Sequence, residues 1–294
     1  MNYFPTEKLA FLNDIVIKIV PLRPDAELCA WRCRKERSVA GRSAPRCRKQ
    51  TTDPRFMKSL HIITPVKDSI ESTIETVRAI LSSRLTTPYI YTIYNDFSTP
   101  ENTALLERYS AELGFELVNL SDLTDHPSPN YLLVLQRCQE RALAEGADLL
   151  IVESDVLVAH DTLQRLSDGA AEREDCGIAA AVTVNDAGEI NYPYEYARGY
   201  KVEPQPIKRH CSFCCSLLTN RFLHAYDFHQ MNPDKHWFDV HISQESRAQG
   251  FANYLFVNLP VVHRPHSSRP WKQLKYTNPI KYYWRKFTKR IDKI

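Results

Sequence analysis

Glu153 and Asp155 stand two positions apart, directly after the apolar run Leu149-Leu150-Ile151-Val152 and before Val156-Leu157-Val158. Two carboxylates at that spacing, where a chain turns, can both approach one hard divalent cation. Mg²⁺ and Mn²⁺ take oxygen ligands and commonly share their shells with substrate phosphates. A second group with chemical potential is His210, Cys211, Cys214 and Cys215. We read it as part of a buried strand rather than a zinc site, because free Cys packs as a small apolar residue. No complete activating pair accompanies those thiols, so nucleophilic catalysis is set aside as well.

The acidic pair needs elements that hold it at an edge. An unalternated apolar run rich in Ile and Val reads as a parallel strand buried on both faces of an α/β sheet, with its carboxyl end at the ligand edge. Residues 60–64 form a first strand, ended by Pro65. A helix follows, with Ile70, Ile74, Val77 and Leu81 on one face. Residues 89–94 and 115–120 are further strands. Between them Thr99 caps a helix with Pro100 at its first position, carrying Leu105, Leu106, Tyr109 and Leu113. A polar loop over 121–130 leads to a helix over 131–145, which Gly146 ends. This alternation predicts a right-handed βαβ array. Beyond Asp155 come a helix over 162–166, a strand over 177–184 and a hairpin turn at Asn185-Asp186-Ala187-Gly188. Then follow a strand within 211–218, a helix from Asn220, the segment 237–250 and a strand over 254–259.

Composition bounds the rest. The 294 residues, 43% hydrophobic and 25% charged, suit a soluble globular chain, and a net charge of +3 is no footprint for nucleic acid. Residues 1–56 hold 12 of the 38 Lys and Arg against 6 of the 35 Asp and Glu, and read as a basic, poorly ordered extension. Three Cys there (Cys29, Cys33 and Cys47) lack a clean zinc spacing, and Met57, just before the first strand, is the expected natural start. Eight irregularly placed Cys fit a reducing cytosol. No apolar run is long enough to span a membrane, and the patch from Leu9 to Val20 is interrupted by Asn13, Asp14 and Lys18. The tail 268–294 repeats apolar residues at Ile280, Trp284, Phe287, Ile291 and Ile294 among Lys and Arg, which fits an anionic membrane surface.

Taken together, the strand-end motifs resemble the family 2 glycosyltransferases of the GT-A fold, over about residues 58–268. Thr64-Pro65 resembles the end of the family's opening strand, which lines the nucleoside pocket. Asn95-Asp96-Phe97-Ser98-Thr99 is similar to its Asp-Asp-Gly-Ser-Thr turn, with Asp96 set to accept from the base. Arg137 falls where the family places a basic residue facing the nucleotide. Glu153-Ser154-Asp155 resembles the D-x-D motif for metal and sugar nucleotide, and Trp237-Phe238-Asp239-Val240-His241 the acidic motif that supplies the base. Val262-His263-Arg264-Pro265-His266-Ser267-Ser268 is similar to the late His-x-x-x-Ser segment near the diphosphate. Asn95 replaces an acid, Phe97 the turn Gly, Glu153 an Asp, Phe238 a Glu and His241 an Asp.

The resemblance implies a GT-A-like single Rossmann-type α/β domain with a mostly parallel central sheet and a small acceptor-side subregion. Residues 57–170 would form the nucleotide-sugar half and 171–267 the acceptor half. The expected activity is metal-dependent, inverting transfer of a hexose from a nucleoside-diphosphate sugar to a hydroxyl of a cell-surface polysaccharide or lipid-linked glycan. Asp239 is the expected catalytic base. Thr64, Pro65, Asp96, Arg137 and Glu153 are expected to bind substrate, and Asp155 with His263 a Mn or Mg ion, with His266 a further candidate ligand. Arg264 and Lys67 are phosphate candidates. The expected location is cytoplasmic, peripheral on the inner face of the cell membrane, with no nucleic-acid partner. The rival reading is a degenerate member that binds nucleotide or glycan without turnover. A third, a basic nucleic-acid binder, has no recognised module behind it.

Overall fold

The strand that leads the fold, β1 (Leu60–Val66), runs past the Pro65 expected to end it. It is paired with a neighbour on one side along its whole length, but on the other side only through Ile63. Pro65 therefore needs no second hydrogen-bond partner, and a proline is tolerated where a strand has become an edge. The computed structural model describes residues 59–234, 237–264 and 278–288. The expectations for residues 1–56, Met57, His266, Ile291 and Ile294 and for the side chain of Phe287 lie outside what is described.

Helix α1 (Ile70–Leu81) buries Ile74, Val77 and Ile80 on the face that the 3.6-residue period marks out. After β2 (Tyr89–Asn95), Thr99 accepts from the backbone N–H of Asn102 and Pro100 opens α2 (Pro100–Leu113). Then come β3 (Glu116–Asn119) and α3 (Tyr131–Glu145), which Gly146 closes in the left-handed conformation at φ 64°. Next are β4 (Asp148–Val152), the two-residue β5 (Val156–Leu157), α4 (Thr162–Ala171) and β6 (Cys176–Val184). The expected hairpin turn after β6 is closed by a single bridge between Val184 and Ile190. The later elements are β7 (Pro204–Ile207), β8 (Cys215–Leu218), α5 (Asn220–Ala225), α6 (Phe238–Ala248) and β9 (Ala252–His263). A separate helix, α7 (Pro279–Thr288), carries exposed Ile280, Tyr283 and Trp284. Among the described residues no helix is long and apolar enough to cross a membrane.

The sheet order is β3-β2-β1-β4-β8-β6-β9-β5, with β7 also against β9. β3, β2, β1 and β4 are mutually parallel, as are β6 and β9, whereas β8 runs antiparallel to both neighbours. Strand order reverses between β1 and β4, the switch point at which open α/β sheets form a crevice at the carboxyl edge. Side chains alternate across the central strands. Ile63, Leu149 and Ile151 join the core against α3, α5 and α6, while Ile62, Leu150 and Val152 join the core against α1 and α4. Each such fully buried aliphatic side chain stabilises the fold by about 1.5–3 kcal/mol, which holds the strand ends in register. Gly169 lets α4 lie directly on β9, because a Cβ there would meet the ring of Phe256.

Candidate functional site

Three strand ends meet at the carboxyl edge. The β4–β8 ladder pairs Val152 with Cys215 and gains one further rung, the Glu153 N–H donating to the Cys214 carbonyl at 3.0 Å. β9 is longer than expected, continuing past Leu259 to His263, which pairs with Val156 of β5. One register shift between Cys176 and Ile178 and another between Ala181 and Val182 let β9 follow β6 that far. The Arg264 N–H then donates to the Asp155 carbonyl at 3.0 Å, so the turn at Glu153-Ser154-Asp155 is held from both sides.

The side chains converge accordingly. His263 Nε2 lies 3.6 Å from Asp155 Oδ2 and 3.9 Å from Cys214 Sγ. The Cys214 thiol donates to Glu153 Oε2 at 3.4 Å and lies 3.3 Å from Ser212 Oγ. Ligand atoms of Glu153, Cys214 and His263 all fall within 4.8 Å of one another. Asp155, Cys214 and His263 are buried, and Glu153 is half-buried.

Second partners set the protonation. His263 Nδ1 is 2.9 Å from the Tyr192 carbonyl, which can only accept, so Nδ1 carries the hydrogen and, in the neutral ring, Nε2 turns its lone pair to the cluster. Burial raises the pKa of Glu153, and the Asp155 carboxylate raises it further. Burial pushes the Cys214 thiol well up, aided by the charge of Glu153. For His263 burial acts downward, yet the Asp155 carboxylate and the Tyr192 carbonyl outweigh it and the pKa rises. Two carboxylates, an imidazole lone pair and a thiol thus share a dry space that favours added positive charge. That donor set fits a divalent cation.

Asp239 sits in the first turn of α6, half-buried, with its Oδ1 accepting from the Val240 N–H at 2.9 Å. Burial raises the pKa of both Glu153 and Tyr192, and the charge of Asp239 reaches the cluster and adds to that rise. Phe238 and His241, the two departures beside it, have structural work. Phe238 is buried against Tyr131, and His241 Nε2 lies 2.9 Å from the Tyr226 hydroxyl.

The nucleotide candidates are placed differently. Thr64 is buried with its hydroxyl 2.9 Å from that of Tyr91, and Pro65 is half-buried at the strand's end. Asp96 already accepts three hydrogen bonds: the Ser128 hydroxyl and Asn130 N–H reach Oδ2, and the Asn130 amide reaches Oδ1, at 2.8, 2.9 and 2.9 Å. It therefore anchors the 121–130 loop, a role its motif alone did not announce. Phe97, in place of the turn Gly, takes the left-handed conformation at φ 57°, a strained choice for a bulky residue. Asn95 stabilises that turn by accepting from the Ser98 N–H and donating to Asn119 and Thr103. Lys67 donates to the carbonyls of Asp96 and Phe97 at 3.4 and 3.2 Å. Arg137 is exposed on α3 and pairs with Glu140 at 3.6 Å. Arg264 bridges Asp186 and Glu75 at 2.7 and 2.9 Å.

Cys214 was missed as a site residue. The dense His-Cys run was its signal, but the thiol meets Glu153 and His263 rather than His210 or the neighbouring Cys. Cys211 and Cys215 are buried, free thiols, as the apolar reading expects.

No family model and no curated protein sequence matches the chain. Solved structures do. The mannosyltransferase PcManGT from Pyrobaculum calidifontis, in complex with GDP-Man and Mn²⁺, matches with a TM-score of 0.55 at 14% identity, over 91% of this chain and 72% of its own. GalNAc-T7 with UDP, GalNAc and Mn²⁺ matches at 0.53 and 11% identity, over 70% of this chain and 43% of its own. S. aureus TarS in complex with UDP-GlcNAc matches at 0.50 and 15% identity, over 77% and 64%. The chain therefore spans less than two thirds of the GalNAc-T7 and TarS structures. These likenesses show the fold, the GT-A type that the strand-end motifs led us to expect.

Proposed function

We propose that this chain is a divalent-cation-dependent, inverting glycosyltransferase of the family 2 type. It would move a hexose from a nucleoside-diphosphate sugar to a hydroxyl of a cell-surface polysaccharide or lipid-linked glycan. The observation that carries the proposal is the meeting of Glu153, Asp155 and His263 at the carboxyl edge of the sheet, beside Asp239. The nucleotide sugars and Mn²⁺ named with the similar structures support it.

Asp155 and His263 are the assigned ligands of a Mn or Mg ion, with the imidazole oriented by Tyr192. When bound, the ion would act as a Lewis acid on the leaving diphosphate. Glu153, its pKa raised by burial and then by the Asp155 charge, would hold a ribose hydroxyl or a water, and its carboxylate also stands within reach of the ion. Asp239 would accept the acceptor hydroxyl's proton in the transfer step, the role of a general base. At the end of β1, Thr64 and Pro65 line the floor of the nucleoside pocket in this reading. Asp96 would contact the base through the acceptor capacity left beside its three donors, since a carboxylate has about four acceptor sites. Arg137, paired with Glu140, would need to leave that partner to face a nucleotide. The exposed Ile280 and Trp284 on α7, among basic residues, favour peripheral attachment to an anionic membrane face.

A binding protein without turnover is the second reading, favoured by Phe238, whose position beside Asp239 is committed to core packing. Incubating the full chain with a panel of sugar nucleotides and Mn²⁺, and assaying donor hydrolysis, separates the two. Asp155→Ala should abolish metal-dependent UDP or GDP affinity in a folded variant. Unchanged affinity by calorimetry would remove Asp155 from the cation site.

A further inference from the structure

We infer that Cys214 is a ligand of the bound cation, and that the centre it completes prefers thiophilic divalent ions, Zn²⁺ and Co²⁺, over Mg²⁺. The inference rests on the proposed cation site and adds a soft sulfur donor to a set of hard oxygens.

Around a tetrahedral Zn²⁺, with bonds of about 2.3 Å to sulfur and about 2.0–2.2 Å to nitrogen and oxygen, neighbouring donors stand about 3.4–3.6 Å apart. Here sulfur to Glu153 Oε2 is 3.4 Å, sulfur to His263 Nε2 is 3.9 Å, and His263 Nε2 to Asp155 Oδ2 is 3.6 Å. Adjacent donors around an octahedral Mg²⁺, at about 2.0–2.1 Å each, stand only about 3 Å apart. The nitrogen-to-oxygen edge therefore lies nearer the tetrahedral spacing, and the sulfur-to-nitrogen edge would close by about 0.3 Å around the ion.

The backbone holds these donors in place. Glu153 and Cys214 face each other across the final rung of the β4–β8 ladder, and His263 is brought in by β9 against β5. Sulfur, oxygen and nitrogen thus arrive at the ends of three different strands, so their approach does not depend on one loop. The Tyr192 carbonyl fixes the His263 tautomer that leaves Nε2 free to ligate, and Ser212 Oγ stands 3.3 Å from the sulfur, able to donate to a thiolate. Bond formation between sulfur and metal releases the thiol proton to the buffer. Thiolate donors select for Zn²⁺ and similar ions, whereas Mg²⁺ prefers oxygen.

The test titrates the full chain with Co²⁺ and follows the near-ultraviolet thiolate-to-cobalt charge-transfer band. Competition with Zn²⁺ and Mg²⁺ and a separate Mn²⁺ titration by electron paramagnetic resonance accompany it. The expected result is a band in the native chain and in Cys215→Ser that disappears in Cys214→Ser. Zn²⁺ should displace Co²⁺ far below the Mg²⁺ concentration needed. Cys214→Ser should lower Zn²⁺ affinity at least about 100-fold, the upper end of what losing an outer-shell partner costs. Absence of the band in the native chain overturns the inference without any variant, and persistence of the full band in Cys214→Ser overturns it too. If Mn²⁺ still binds in either case, and is lost in Asp155→Ala, the cation site stands and only the sulfur ligand falls. Binding of no cation at all overturns both.

Discussion

His61 is expected to make the domain acid-sensitive over a defined window. It lies fully buried in β1, at the centre of the sheet, with Nε2 3.2 Å from the Thr92 hydroxyl oxygen. Thr92 spends its one hydrogen on Glu116 Oε2 at 3.0 Å, so it must accept from His61, and the ring is the Nε2–H tautomer. Nδ1 then bears the lone pair, and it is buried with no hydrogen-bond partner among the described residues. Protonation would place an N–H and a positive charge in that dry site, close to the Arg141 guanidinium. Burial, and then Arg141, lower the pKa from 6.5 to about 4, against the opposing pull of Glu145 and Glu116. In the unfolded chain the ring takes up a proton from about pH 6.5 downward, which the folded chain refuses until about pH 4. Stability is therefore intact above pH 6.5 and falls across that window as the pH drops, by about 3 kcal/mol in all. His61→Leu keeps the volume and removes the titration. It should cost about 1 kcal/mol at neutral pH, from the hydrogen bond to Thr92, and flatten the acid slope. Urea unfolding at fixed ionic strength, at closely spaced pH, measures both curves. Parallel loss of stability in His61→Leu and the native chain through the window would refute the reasoning.

Asp239→Asn should leave nucleotide affinity nearly intact and slow transfer about 10²–10⁴-fold; undiminished transfer in a folded variant moves the base to Glu245 or His241. Asp96→Ala should release the 121–130 loop, lowering stability by about 1–3 kcal/mol through the Asn130 groups left unpaired and weakening nucleotide binding. Hydrogen exchange over that loop unchanged from the native chain would contradict the anchoring role. Removing residues 268–294 should leave the α/β domain folded and reduce retention on anionic vesicles, by about 1 kcal/mol for each cation near the surface. Equal co-sedimentation of full-length and truncated chains at low salt would show that the tail is no anchor.

Much of the scaffold was legible because it is local. The apolar positions of α1 repeat within one helix, Thr99 and Pro100 announce α2 within three residues, and Gly146 ends α3 where a left-handed residue is needed. The unalternated run before Glu153 correctly marked a strand buried on both faces. What the sequence left dark depends on pairing between distant segments. Cys214 reads as one more apolar residue of its strand until β8 inserts antiparallel between β4 and β6 and sets it opposite Glu153. His263 was expected as a ligand from its motif, but it lies beyond the strand expected over 254–259, and only the full length of β9 beside β6 and onto β5 shows how it comes to Asp155. Asp96 carries a recognisable motif, yet only the return of the 121–130 loop shows that Ser128 and Asn130 occupy its carboxylate. Helix periods and caps are energies between residues a few positions apart, so composition and spacing reveal them. Strand order and register are decided by contacts between residues 24 or more positions apart in sequence, chosen by how two core faces pack at once, and no pattern within one segment encodes that choice.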